Sequence, residues 1–294
     1  MTTATNTHEV LVVGAGLMGS ALARTLAQRG HSVAVWNRTP DKAQSLAGYG
    51  VAPFENLDEA VQSVKLVLTC TATYQTTRSA LEQVSQWDNV NLVNLGSGTP
   101  DDADAMNDWA TSRGARYLDG SILCYPEHIG TPDGTVLISG PSDLWDSHQS
   151  VLGALGNVTH VSARPRGASI LEMTVSGGFY IAALSAYVEA AAYALGQGLT
   201  AQELTAVTQT SIDLLGSVTA RTAEAIETKQ YDTDQATISV FLAGMNMCVD
   251  TMRSAGYSAR MIETSADLLA SAEAAGLGHQ GFAAQAALCH YTPR

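Results

Sequence analysis

Positive charge is scarce in this chain of 294 residues: 15 lysines and arginines stand against 28 aspartates and glutamates, a net charge of −13. Nucleic acids and anionic membrane surfaces demand clustered cations, so neither is expected as a partner. Any phosphate site must be local. Cysteine is equally thin: Cys70, Cys124, Cys248 and Cys289 stand far apart with no CxxC pair, which argues against a disulfide framework and a thiolate zinc site. His128 and His279 are isolated, without ligand-spaced histidines or paired carboxylates, so no metal is expected. The opening MTTATNTHE lacks the charged and apolar regions of a signal peptide, and a cytoplasmic protein is expected.

What is present is apolar and alternating. Hydrophobic residues make up 46% of the chain and charged residues 15%, the composition of a globular protein with extensive buried surface. The length exceeds one ordinary domain, so two are expected. VLVV at 10–13 runs into a glycine turn, a helical stretch over 21–29 and the β-type run HSVAVW, which is a βαβ unit. VKLVLTC (64–70), NVNLVNLG (89–96), ARYLDGSI (115–122) and TVLISG (135–140) continue the pattern. An α/β Rossmann domain is predicted over 1–162, with a doubly wound, mostly parallel sheet.

Beyond residue 162 no convincing strand appears. SARPRG at 162–167 punctuates a junction, followed by a long alanine-rich interdomain helix over 163–195 and an all-α domain over 196–294. FYIAALSAYVEAAAYALGQGL is the longest apolar stretch, but it carries Glu189 and reads as a buried helix in preference to a membrane span. With so little polar surface it needs a second surface to cover it, and an intertwined homodimer is the simplest one.

Gly14, Gly16 and Gly19 fill G-x-G-x-x-G between strand and helix, with Leu17 and Met18 inside the turn. Such a turn brings backbone amides and a helix N-terminus against a pyrophosphate, so a dinucleotide site is predicted. At the end of the second strand an acid would bind the ribose hydroxyls of NADH. Asn37, Arg38 and Thr39 stand there instead, with Lys42 one turn on. They form a cradle for a 2′-phosphate, which favours NADPH. The carboxyl ends of later strands nominate Cys70, Thr71, Ala72, Asn94 and Ser97 for the same crevice, and Tyr125 for the substrate side. Ordinary strand-to-loop turn chemistry would also account for several of these residues.

VGAGLMG with WNRT, NLGSGTP and DGSILCYPEHIGTPDGTVLISG resemble, over nearly the whole chain, the β-hydroxyacid dehydrogenase superfamily and, more closely, its imine reductase and reductive aminase branch. The resemblance implies NADPH-dependent reduction of C=N in cyclic imines, with imine and amine as small-molecule partners. TDQATISVF resembles the helix start through which family dimers exchange C-terminal helices. The hydroxyacid dehydrogenases carry a proton-moving lysine on the long helix. Here the lysines are Lys42, Lys65 and Lys229, and Glu172 occupies the matching position, where imine reductases usually carry aspartate. Ser97 stands where reductive aminases of the group tend to have asparagine, which counts against efficient coupling of ketone to amine.

Residues 172, 176 and 180 step by four, so Glu172, Ser176 and Tyr180 share a helix face that can look into the interdomain cleft. A carboxylate there can hold an iminium cation or pass a proton, and a tyrosine can orient the substrate or relay the proton. Glu172 and Tyr180 are the candidate catalytic pair. Ser176, Phe179 and Met245 are candidate pocket walls. A solvated helix acid and a packed tyrosine remain the ordinary alternatives. At the level of function, the alternatives are a β-hydroxyacid or aldehyde reductase and a non-catalytic NADPH-binding sensor.

Overall fold

The computed structural model describes residues 7–289, and the division between its two compact units falls between Gly178 and Phe179. The N-terminal unit is built on strands β1 (Val10–Val13), β2 (Val33–Trp36), β3 (Val51–Phe54), β4 (Leu66–Thr69), β5 (Asn91–Asn94), β6 (Arg116–Ile122), β7 (Thr135–Ser139) and β8 (Asn157–Ser162). They lie in the order β3-β2-β1-β4-β5-β6-β7-β8. Every neighbouring pair is parallel except β6 with β7. The helices of this unit are α1 (Leu17–Gln28), α2 (Pro40–Gln44), α3 (Leu57–Gln62), α4 (Tyr74–Leu81), α5 (Pro100–Ser112), α6 (Ser142–Gly153) and α7 (Gly167–Leu171).

Side chains alternate across a strand, and here both faces are buried. Val10 and Val12 pack with Leu22 and Leu26 of α1 on one face. Leu11 and Val13 pack with Tyr74, Trp87 and Trp109 on the other. That double burial explains why the central strands read as unbroken apolar runs. Each fully buried leucine contributes roughly 1.5–3 kcal/mol.

Neither β3 nor β8 is legible in the sequence pattern, and both are edge strands. Pro53 interrupts β3, which an edge tolerates because proline has no N–H for a ladder. β8, NVTHVS, is nowhere fully buried, so it lacks an apolar signature.

The C-terminal unit contains α8 (Ile181–Gly196), α9 (Ala201–Thr228), α10 (Ile238–Ser254) and α11 (Arg260–Ala272). Its small core is Ile238, Leu242, Leu269, Ala272 and Ala284. The expected long helix is continuous from Gly167 to Gly196, but Glu172–Tyr180 is wound as a π-helix. Gly177 and Gly178 lie inside that segment, and glycine weakens the ordinary α register. Such wide turns recur at functional sites.

Within the single chain no residue of α8 is buried. By length and composition Gly167–Gly196 would suffice to cross a membrane. Glu189, in its middle, instead accepts backbone N–H bonds from Arg260 (3.0 Å) and Met261 (2.9 Å) at the start of α11. A charge committed to capping a neighbouring helix does not belong in hydrocarbon.

Candidate active site

The glycine turn is built as the motif requires. Gly14 has φ +109° and its missing side chain makes room for the Cys70 carbonyl, while a side chain on Gly19 would collide with the Gly14 carbonyl. Gly16, the N-cap of α1, faces open space. No acidic residue stands in the first turn of α1, so its free amides and dipole are presented to an anion unopposed. Leu17 is exposed and Met18 half-buried at the same end.

Asn37 has a more specific task than donating to a phosphate. Its carboxamide oxygen accepts the Ala15 N–H at 2.9 Å and its nitrogen donates to the Thr39 carbonyl at 3.0 Å. It ties the end of β2 to the glycine turn. Thr39 caps α2 only through its backbone. Arg38 and Lys42 are exposed and enter none of the ion pairs found among the described residues. Two unpaired cations beside the turn, in a chain with so few, suit a phosphate.

A single register row crosses the sheet just below its carboxyl edge: Trp36, Val13, Thr69, Asn94, Asp119 and Ser139. From Thr69 onward the row is polar and fully buried. Asn94 accepts hydroxyl bonds from Thr69 (2.8 Å) and Thr77 (3.2 Å), so it braces the strands beneath the crevice. Thr71 Oγ1 pairs with Thr77 Oγ1 at 2.7 Å and donates to the Thr73 carbonyl. Burial raises the Cys70 thiol to about 11, which keeps it neutral beside the turn. Ala72 and Ser97 are exposed beyond these strand ends.

Two residues past Asp119, on the same face of β6, Ser121 donates to Glu172 Oε2 at 2.9 Å. Glu172 is half-buried and enters no ion pair among the described residues. The sequence pattern singles out Glu172 but not its contact with Ser121, which joins residues 51 apart in the chain. Ser176 is half-buried on the π-wound segment, and Tyr125 is exposed after β6.

The remaining candidates lie in the C-terminal unit. Phe179 is exposed and Tyr180 retains 49% of its surface. Met245 packs at the margin of the small core around Ile238 and Leu242.

Residues 9–162 match the family described as the NAD binding domain of 6-phosphogluconate dehydrogenase. Residues 171–290 match the NADPH-dependent reductive aminase-like C-terminal domain. An NADPH-dependent reductive aminase of Aspergillus oryzae is 30% identical over 275 residues, 92% of this chain and 92% of that protein. The chain belongs to the imine reductase and reductive aminase family. The structure of an imine reductase from Pseudomonas sp. superposes with a TM-score of 0.89 at 29% identity, covering 97% of this chain and 100% of that one. An imine reductase from Myxococcus stipitatus in complex with NADP+ gives 0.86 at 26% identity, covering 96% and 100%. Glu172 lies at the start of the second matched segment.

Proposed function

We propose that this protein is an NADPH-dependent imine reductase that converts cyclic imines to amines. The observation that carries the reading is Glu172, a half-buried carboxylate oriented by Ser121, at the carboxyl edge of the sheet that also carries the glycine turn. The residues present fit NADPH: open space over Gly16, an unopposed α1 N-terminus, and Arg38 and Lys42 unpaired beside a strand end without an acid. When bound, NADPH supplies the hydride that the imine carbon takes up.

The chain's own residues answer for the nitrogen, which must gain a proton as C=N becomes CH–NH. Ser121 holds Oε2 of Glu172 and leaves the other oxygen to face a cationic nitrogen or pass it a proton. Charge held in place before reaction costs no reorganisation during it. Tyr180, which keeps 49% of its surface open, orients the substrate. Cys70, kept neutral by burial, adds no negative charge to the pyrophosphate site. Preformed imines are the favoured substrates over ketone and amine mixtures, since Ser97 supplies a short hydroxyl at its loop.

A homodimer is part of this proposal. Val188 on α8 is 60% exposed and Val207 on α9 is 68% exposed, with Ile181, Leu184, Ile212 and Leu214 also open. So many open apolar residues on two helices suit an interface, and a second copy covers them. A cytoplasmic location rests on all four cysteines being free thiols. The direct test of function is NADPH oxidation with 1-pyrroline and with ketone and amine pairs, repeated with NADH. Turnover of 1-pyrroline with NADPH is expected. Tight NADPH binding with no turnover of any imine would favour a sensor, and preference for NADH would remove the phosphate cradle.

A further inference from the structure

Asp119 is fully buried on β6, and among the described residues no cation pairs with it. Its carboxylate is instead held by hydroxyls. Tyr74 and Tyr117 donate to Oδ1, each at 2.6 Å, and Ser169 donates to Oδ2 at 2.8 Å. Tyr74 also meets Ser169 at 3.1 Å. A buried carboxylate without a counter-charge is expensive, and burial raises Asp119 to about 6 despite these donors, with the Glu172 charge adding to the rise. Packing alone would be served more cheaply by an apolar side chain.

The placement of those partners gives the acid a use. Ser169 lies one helical turn before Glu172, and Asp119 lies two residues before Ser121 on the strand facing them. Strand and helix periods therefore align two rungs, Asp119 with Ser169 and Ser121 with Glu172. Tyr74 begins α4 immediately after the Thr71 loop, and the Gly98 backbone packs on its ring. One carboxylate thus ties the cofactor-side loops to the turn of helix that presents Glu172.

We propose that Asp119 is a positioning residue for the reaction: by holding Ser169 it fixes where Glu172 stands relative to Ser121 and to the cofactor loops. The inference rests on the role given to Glu172 above. Its effect is on orientation at the nitrogen and not on cofactor affinity.

The test is a double-mutant cycle on 1-pyrroline reduction with the full-length protein, using Asp119→Asn, Glu172→Gln and the pair, with NADPH Kd measured for each. Asp119→Asn is expected to lower kcat on the order of tenfold or more, as displacement of a reacting group by about 1 Å does, with NADPH Kd unchanged. In the Glu172→Gln background the same change is expected to cost nothing further. An equal loss in both backgrounds, or a loss shared with NADPH affinity, would overturn the proposal. Ser169→Ala removes the same rung without touching the buried acid, and it is read in the same cycle should Asp119→Asn fold poorly. If Glu172→Gln retains wild-type kcat, the reading of Glu172 falls and the inference with it. If Glu172→Gln slows reduction while Asp119→Asn and Ser169→Ala do not, the inference alone falls.

Discussion

The two units of this chain solve burial differently. In the N-terminal unit strands β1, β4 and β5 are almost wholly sealed by helices on both faces, with two clusters of buried residues. In the C-terminal unit α8 and α9 have no buried residue at all, and the core is a handful of side chains around α10 and α11. The first closes its own core. The second leaves apolar helix surface open, which the proposed dimer covers, and recognition of NADPH is assigned to the first unit.

The largest expected effect breaks the second unit and spares the first. Val188→Asp with Leu184→Asp places charges on the face assigned to the dimer, where an unpaired buried charge costs about 3–5 kcal/mol. Light scattering is expected to show dimers for the wild type and monomers for the variant. A monomeric wild type, or a variant that stays dimeric, would contradict the assigned interface.

A smaller effect sharpens the comparison from the other side. Asp119 belongs to the sealed unit, and burial lifts its pKa from 3.8 to about 6 in the folded protein. Folded chains then hold the proton where unfolded chains have lost it, so this group's contribution to stability is full below about pH 4 and is lost as pH rises to about 6. The loss is on the order of 3 kcal/mol. Tyr74, Tyr117 and Ser169 face the group as donors and Glu172 as a like charge. Urea midpoints measured from pH 4 to 7 are expected to carry this decline in the wild type and to lack it in Asp119→Asn. Parallel profiles would mean that Asp119 titrates normally.

Smaller again is the cofactor contact. Arg38→Ala removes one charge-assisted bond to phosphate, about 1.5–3 kcal/mol, so NADPH is expected to bind at least about tenfold more weakly. NADH binding should barely change. Equal losses for both cofactors would place Arg38 elsewhere.

Much of this was legible in the sequence because it is local. The glycine turn, the cations at Arg38 and Lys42, and the central apolar strands are each written in a few consecutive residues. Glu172 was legible as an acid where the resemblance to the hydroxyacid dehydrogenases puts a lysine. The contacts around it were not: Ser121 and Asp119 reach their helix partners across 51 and 50 residues, and Tyr74 reaches Asp119 across 45. Hydroxyl-to-carboxylate contacts of that range leave no periodic trace. The π winding of Glu172–Tyr180 was hidden for a related reason, since the i, i+4 spacing of Glu172, Ser176 and Tyr180 suits an ordinary helix equally well. The edge strands β3 and β8 lack the apolar runs that burial on two faces imposes.

The central claim is that Glu172 acts at the imine nitrogen, and single-turnover reduction of 1-pyrroline by the NADPH complex tests it most directly. Glu172→Gln keeps the size and the Ser121 contact but removes the charge and the exchangeable acid. The rate constant is expected to fall by about 10²-fold or more, with NADPH Kd unchanged. A Glu172→Gln protein that reduces 1-pyrroline at the wild-type rate would contradict the claim.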